Sequence, residues 1–190
     1  MSQNLYIAAI EPGSGKSLVL LGIMELLSNR VQKLGFFRPL IHSHNGRDND
    51  IELICSRYQL SCTYEAQYAV TAEEARQLAA AGQTEELLKR VIEKYKALER
   101  TCDFVVCEGC DATDIDLAFM DNFNILVANH LGMPILLVAN GHGKTPDEVV
   151  DAVRREREEF INEGCTIAAT MVNRVATNQL TQVQDKLQAV

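Results

Sequence analysis

No run of basic residues occurs anywhere in the 190-residue chain, whose 18 Lys and Arg stand against 26 Asp and Glu for a net charge of −8. That balance excludes an extended surface for nucleic acid or an anionic membrane, while leaving room for a local phosphate pocket. No apolar stretch approaches membrane-spanning length, and the N-terminus lacks the basic-then-apolar form of a signal peptide, so a cytoplasmic location is expected. There is no internal repeat, low-complexity segment or linker rich in Pro, Gly and Ser. At this length a single domain over residues 1–190, with a sizeable core, is expected. The six cysteines (55, 62, 102, 107, 110 and 165) are not spaced as a secreted disulfide framework, and reduced, mostly buried thiols are expected. Cys107-Glu108-Gly109-Cys110 is a lone C-x-x-C, without the second pair that structural zinc usually wants or the helix-opening position of a redox pair. His42-Ser43-His44 has no evident metal-binding partner and reads as a polar loop.

What is present centres on Glu11-Pro12-Gly13-Ser14-Gly15-Lys16-Ser17. A short apolar run, Leu5 to Ile10, precedes it and reads as a buried strand; a longer one, Leu18 to Leu27, follows and reads as a helix apolar nearly all round. Strand, glycine-rich turn, Gly-Lys-Ser and helix is the context of a phosphate-binding loop. There, backbone N–H groups at the helix start wrap an anion, the lysine reaches the outer phosphates and the hydroxyl takes a magnesium position. The usual spacing has a glycine where this chain has Ile10.

A second Gly-Lys-Thr, Gly143-Lys144-Thr145, also lies between an apolar run and a helix. Thr145-Pro146-Asp147-Glu148 reads there as an N-cap, a proline at the first helical position and an acidic first turn, with capping-box spacing from Thr145 to Glu148. Two carboxylates at that helix start would repel a phosphate. Leu18-Val19-Leu20 after Lys16-Ser17 leaves the first helix open to one.

Apolar runs alternate with amphipathic stretches along the whole chain. Strands are expected at 5–10, at 35–40 (ended by Pro39), and at 104–107, 134–139 and 166–172. Helices are expected at 51–59, 72–81, 84–99, in part of 117–131, at 147–163 and at 179–189, with Arg154 to Glu159 a solvated face. Continuously apolar strands separated by helices imply a parallel sheet with helices on both faces, an α/β fold of the P-loop NTPase kind. Ligands of such sheets bind at the carboxyl ends of the strands. The polar stretches there are Glu11 to Ser17, Arg38 with the loop to Asp50, Glu108 to Asp114, Asn140 to Thr145, and Asn173-Arg174. Magnesium on a nucleotide takes oxygen ligands, so Ser17, Asp50 and Glu108, all expected on this rim, are the candidate metal set. For Asp50, capping the helix from Ile51 is the alternative.

In this order, the first strand and its glycine-rich loop, Phe37-Arg38-Pro39-Leu40, Asp48-Asn49-Asp50, Val105-Val106-Cys107-Glu108-Gly109 and Met171-Val172-Asn173-Arg174 resemble dethiobiotin synthetase. They resemble still more closely the synthetase-like N-terminal domain of long-form bacterial phosphate acetyltransferases. The resemblance covers nearly the whole chain. It implies that Glu11, Pro12, Gly13, Ser14, Gly15, Lys16 and Ser17 hold ATP phosphates, that Ser17, Asp50 and Glu108 hold magnesium, and that Asn173 lies where the synthetase reads adenine. The synthetase has a lysine where this chain has Arg38, and a glycine-rich substrate loop where this chain has Cys110-Asp111-Ala112-Thr113. Arginine does not copy a lysine's point contact. Relatives of the acetyltransferase domain often lose the loop lysine, whereas Lys16 and Ser17 stand here.

The resemblance therefore implies a regulatory domain that binds a nucleotide or metabolite effector, with the C-terminal catalytic domain of the same chain as partner and a homo-oligomer as the assembly. The alternatives are a freestanding ATP-dependent ligase and a nucleotide-free scaffold. The chain ends at Gln188-Ala189-Val190, without room for an acetyl-transfer site or the further strand of the synthetase fold, so an isolated N-terminal domain is expected.

Overall fold

The computed structural model describes residues 3–42, 47–60, 62–110 and 123–188. In chain order these form β1 (Gln3–Ala9), α1 (Lys16–Ser28), β2 (Leu34–Ile41), α2 (Asn49–Arg57), a 3-10 turn (Tyr64–Ala66), β3 (Tyr68–Thr71), α3 (Ala72–Ala80) and α4 (Thr84–Glu99). Then come β4 (Phe104–Glu108), α5 (Phe123–Leu131), β5 (Pro134–Asn140), α6 (Pro146–Asn162), β6 (Thr166–Asn173), a second 3-10 turn (Thr177–Gln179) and α7 (Leu180–Leu187). The strands form one sheet in the order β3-β2-β4-β1-β5-β6. Every pairing is parallel. Residues 43 and 44, residues 111–122 (with the acid at position 114 and the start of the expected 117–131 helix) and Ala189 lie outside the described residues.

Successive strand residues face opposite sides of the sheet, and this chain fills both. On one side Tyr6, Phe37, Val105, Cys107, Ile135 and Leu137 pack with Leu87, Val91 and Tyr95 of α4 and Phe123 and Val127 of α5. On the other, Ile7, Phe36, Val106, Leu136 and Val138 pack with Val19, Leu20 and Met24 of α1 and Ile51 and Ile54 of α2. Burying each such large side chain is worth about 1.5–3 kcal/mol relative to exposure. This double burial is why the central strands read as unbroken apolar runs.

Three elements differ from the sequence reading. Tyr68–Thr71 is a sixth strand, pairing with β2 as Arg38↔Tyr68 and Leu40↔Val70. Pro39 does not end the second strand: β2 runs on to Ile41. The amide of Arg38 donates toward β3, to Gln67 O (2.8 Å). The N–H that Pro39 lacks would thus point toward β4, whose pairing with β2 stops at Phe37↔Cys107, so no ladder bond is lost. The third is α1, which is buried on one face only, leaving Leu18 and Leu26 exposed.

β1 lies at the centre, between β4 and β5. The chain leaves it through α1 toward β2 on one side, while β4 leads across it to β5 on the other. The loop after β1 therefore opens at the reversal of strand order, where α/β sheets form their ligand crevice.

Candidate phosphate-binding loop and its carboxylate cluster

Gly13 and Gly15 have φ of 75° and 83°, in the left-handed region that glycine enters without strain. Gly15 is doubly constrained, because a Cβ there would stand 2.5 Å from Asn173 Nδ2. Two donors from the end of β6 grip the turn from behind: Asn173 Nδ2 donates to Ser14 O (3.2 Å), and the Arg174 guanidinium to Gly13 O (3.1 Å). Arg174 itself is left-handed, with φ 59°. The C=O and N–H of a trans peptide point in opposite directions, and no cis bond occurs among the described residues. With the carbonyls of Gly13 and Ser14 turned to β6, the amides of Ser14 and Gly15 point away from it. Successive amides presented together in this way make an anion-binding concavity.

The helix start adds to it. α1 begins at Lys16 with Gly15 as N-cap, no side-chain cap and no acid in its first turn. Ser14 Oγ is buried and has no hydrogen-bond partner among the described residues. Glu11 faces elsewhere: one carboxylate oxygen accepts from the Asn140 amide (3.1 Å), and the other pairs with Lys144. Pro12 and Ser17 are exposed. An orphaned hydroxyl, outward amides and an uncapped positive helix end fit an anion. The second Gly-Lys-Thr does not: Thr145 and Glu148 form a reciprocal capping box, with Asp147 also in the first turn of α6. Those bonds from Thr145 hold the Glu148 carboxyl below its ordinary pKa.

Lys16 and Glu108 are buried together, their side chains 4% and 1% exposed, with Nζ 3.6 Å from Oε1. Lys16 Nζ also donates to the carbonyl of Gly109. Glu108 is the last residue of β4, paired in register with Ile7 of β1. The backbone beyond it is pinned from α5: Asn124 Oδ1 accepts from the Cys110 amide (2.9 Å) and the Tyr6 hydroxyl (2.7 Å), and Asn124 Nδ2 donates to Cys110 O (3.0 Å).

On the far side of Glu108 stands Arg38, from β2. Its Nε is 3.3 Å from Glu108 Oε2, and its Nη1 is 2.6 Å from each Asp48 oxygen and 3.0 Å from Asp50 Oδ2. Burial works against the Arg38 charge, but Glu108, Asp48 and Asp50 outweigh it and raise its pKa. Asp48, not Asp50, caps α2, accepting from the amides of Asp50 (3.1 Å) and Ile51 (3.0 Å). The Asp48 amide in turn donates to the Tyr64 hydroxyl (2.6 Å).

The structure therefore brings Lys16, Glu108 and Asp50 to one rim, and Asn173 to the back of the loop. Asp50 and Glu108 both face Arg38, and among the described residues no group of three His, Cys, Asp or Glu could hold a metal ion. Nothing local in the sequence names a partner for Arg38, whereas Asp48 followed by two acids in the first turn of a helix is an N-cap signal. Cys107 and Cys110 are buried, and burial foremost pushes the Cys107 thiol well above its ordinary pKa.

The fold is that of P-loop nucleotide-binding proteins. An apo GTPase from Pyrococcus abyssi superposes with a TM-score of 0.56 at 15% identity, over 98% of this chain and 77% of that one. The ATP complex of Cyanothece McdA gives 0.53 at 14%, over 100% and 80%. In sequence, the chain is 40% identical over 181 residues to a phosphate acetyltransferase of Nitratidesulfovibrio vulgaris, covering 94% of this chain and 26% of that protein. It is 33% identical over 190 residues to the phosphate acetyltransferase of Synechocystis sp., covering 99% and 27%. The chain thus spans about a quarter of the length of the curated relatives it matches. Among the described residues no helix is long and apolar enough to cross a membrane. Residues 3–190 match the family described as the AAA domain, and the chain belongs to that family.

Proposed function

We propose that this chain is the nucleotide-binding regulatory domain at the N-terminus of a phosphate acetyltransferase. The observation that carries the reading is the loop itself, with its Ser14 and Gly15 amides turned away from Asn173 and Arg174 beside an uncapped helix start. Gly13 to Ser17 would cradle the phosphates of ATP, and Lys16 would exchange Glu108 for the outer phosphates. When bound, the nucleotide supplies polyphosphate charge and a purine face. The longer protein would exchange acetyl between coenzyme A and phosphate at a site outside this domain, and nucleotide here would adjust that exchange. Magnesium is not part of the reading, because Asp50 and Glu108 face a fixed guanidinium.

Position 38 weighs against a freestanding ligase. Phosphoryl transfer needs an acceptor held in line with the γ-phosphate. Arg38, at the position of the synthetase lysine, is engaged by three carboxylates rather than presented to a substrate. The test is acetyl-transfer kinetics of the whole acetyltransferase with and without ATP. Coupling between sites of this kind changes a kinetic or binding constant about 5–150-fold. The expected result is an ATP response that Lys16→Ala removes. Kinetics indifferent to every purine nucleotide, or ligase product from the isolated chain, would overturn the reading.

A further inference from the structure

We infer that Arg38 is the resident cation of this site, so that a guanidinium holds Asp48, Asp50 and Glu108 in place of a divalent metal and nucleotide phosphates bind here metal-free. The second half rests on the nucleotide-binding reading; the first does not. Magnesium demands oxygen ligands at about 2.0–2.1 Å in a near-octahedral shell. The carboxylate oxygens that would provide them are already directed at guanidinium nitrogens: Asp50 Oδ2 at 3.0 Å and Glu108 Oε2 at 3.3 Å. Glu108 Oε1 faces Lys16 at 3.6 Å, and Asp48 Oδ1 also accepts two amides of α2. A divalent ion bound by the same oxygens would lie beside the guanidinium and be repelled by it.

Arg38 is not a cation that leaves. Arginine keeps its proton at any ordinary pH. Its side chain is 6% exposed, and its backbone is fixed in β2 by the bond to Gln67. A solvated metal ion can arrive and depart with the nucleotide; this charge stays.

The arrangement has a consequence for Lys16. Among the described residues, three carboxylates (Asp48, Asp50, Glu108) share two cations (Arg38, Lys16). When Lys16 turns to a phosphate it leaves Glu108, a buried carboxylate that cannot stand without a counter-charge. Arg38 remains on Glu108 Oε2 and supplies it. The guanidinium therefore does for Glu108 what a metal ion would do, and frees the lysine for the ligand.

The test uses two probes on the wild-type chain. Mn²⁺ alone, followed by electron paramagnetic resonance, should show no site, and ATP titrated by calorimetry should bind with the same affinity in excess EDTA and in excess Mg²⁺, within about 3-fold, or less than 1 kcal/mol. Arg38→Met should gain an Mn²⁺ site and lose about tenfold or more of its affinity for ATP in EDTA. An Mn²⁺ site in the wild type, a tenfold gain in ATP affinity with Mg²⁺, or a folded Arg38→Met with no Mn²⁺ site would each overturn the inference while leaving nucleotide binding intact. If ATP binds in neither buffer, the nucleotide reading and the metal-free binding fall together. The Mn²⁺ titrations then decide whether Arg38 is the resident cation. If circular dichroism shows Arg38→Met unfolded, the two wild-type measurements decide.

Discussion

Lys16 and Glu108 lie 3.6 Å apart with their side chains almost wholly buried, although 92 positions separate them in the chain. Glu108 is shared, since its other oxygen faces Arg38 at 3.3 Å. Removing one member of a buried ion pair strands the others, at a cost of about 3–5 kcal/mol. Arg38 keeps Asp48 and Asp50, so Glu108→Gln is expected near the lower end, a loss of about 3 kcal/mol in urea unfolding. A change of under about 0.5 kcal/mol, the range of an ordinary surface substitution, would mean that Glu108 is not the counter-charge of this cluster.

Asp48 has two roles that substitution can separate. Asparagine is as good an N-cap as aspartate but carries no charge. Asp48→Asn should therefore lose the ion pair alone, and Asp48→Ala should lose about 1 kcal/mol more for the cap of α2. Urea denaturation of both variants checks the difference, and equal stabilities would contradict the capping role.

At Gly15 the strain has two sources, its φ of 83° and the nearness of Asn173 Nδ2. An L-residue in the left-handed region costs about 1–2 kcal/mol by itself. Gly15→Ala is expected to lose more than that. In the double variant with Asn173→Ala the steric part should be recovered and the φ part retained. A double-mutant cycle of melting temperatures reads the coupling, and strict additivity would remove Asn173 from the account.

Thiol labelling follows burial. Cys55 is exposed, whereas Cys102, Cys107, Cys110 and Cys165 are buried. The Cys62 thiol is pushed up to about 11, foremost by burial. At pH 8 a thiol of that pKa is on the order of 0.1% thiolate. Iodoacetamide on the native chain should thus modify Cys55 first, Cys62 slowly and the other four only on unfolding, as mass spectrometry would show. Rapid native modification of Cys107 or Cys110 would contradict their burial.

Much of this architecture is legible in the sequence for one physical reason. Strands buried on both faces must be apolar throughout, so 104–107 and 134–139 announce themselves. Tyr68–Thr71 does not, because it is only four residues long and mostly half-buried at the sheet edge, with little apolar signal. The single buried face of α1 was hidden for the opposite reason, leucine standing on the exposed face as well. At the site, the loop was readable because its glycines and lysine are local. The Arg38 cluster was not, because its charges come from β2, the start of α2 and the end of β4, and only the fold brings them within 3.3 Å. Position 38 stood out as an arginine in place of a lysine, but that substitution names no partner.

The proposed function requires the loop from Gly13 to Ser17 to hold nucleotide phosphates through Lys16. The most direct measurement is thermal unfolding of this chain with ATP, for the wild type and Lys16→Ala. Ligand at about 100 times its dissociation constant adds roughly 2.7 kcal/mol of stability, an upward shift of about 5–10 °C for a domain of this size. That shift is expected in the wild type, and its loss in Lys16→Ala. No shift with any purine nucleotide up to millimolar concentration, or an equal shift in Lys16→Ala, would contradict it.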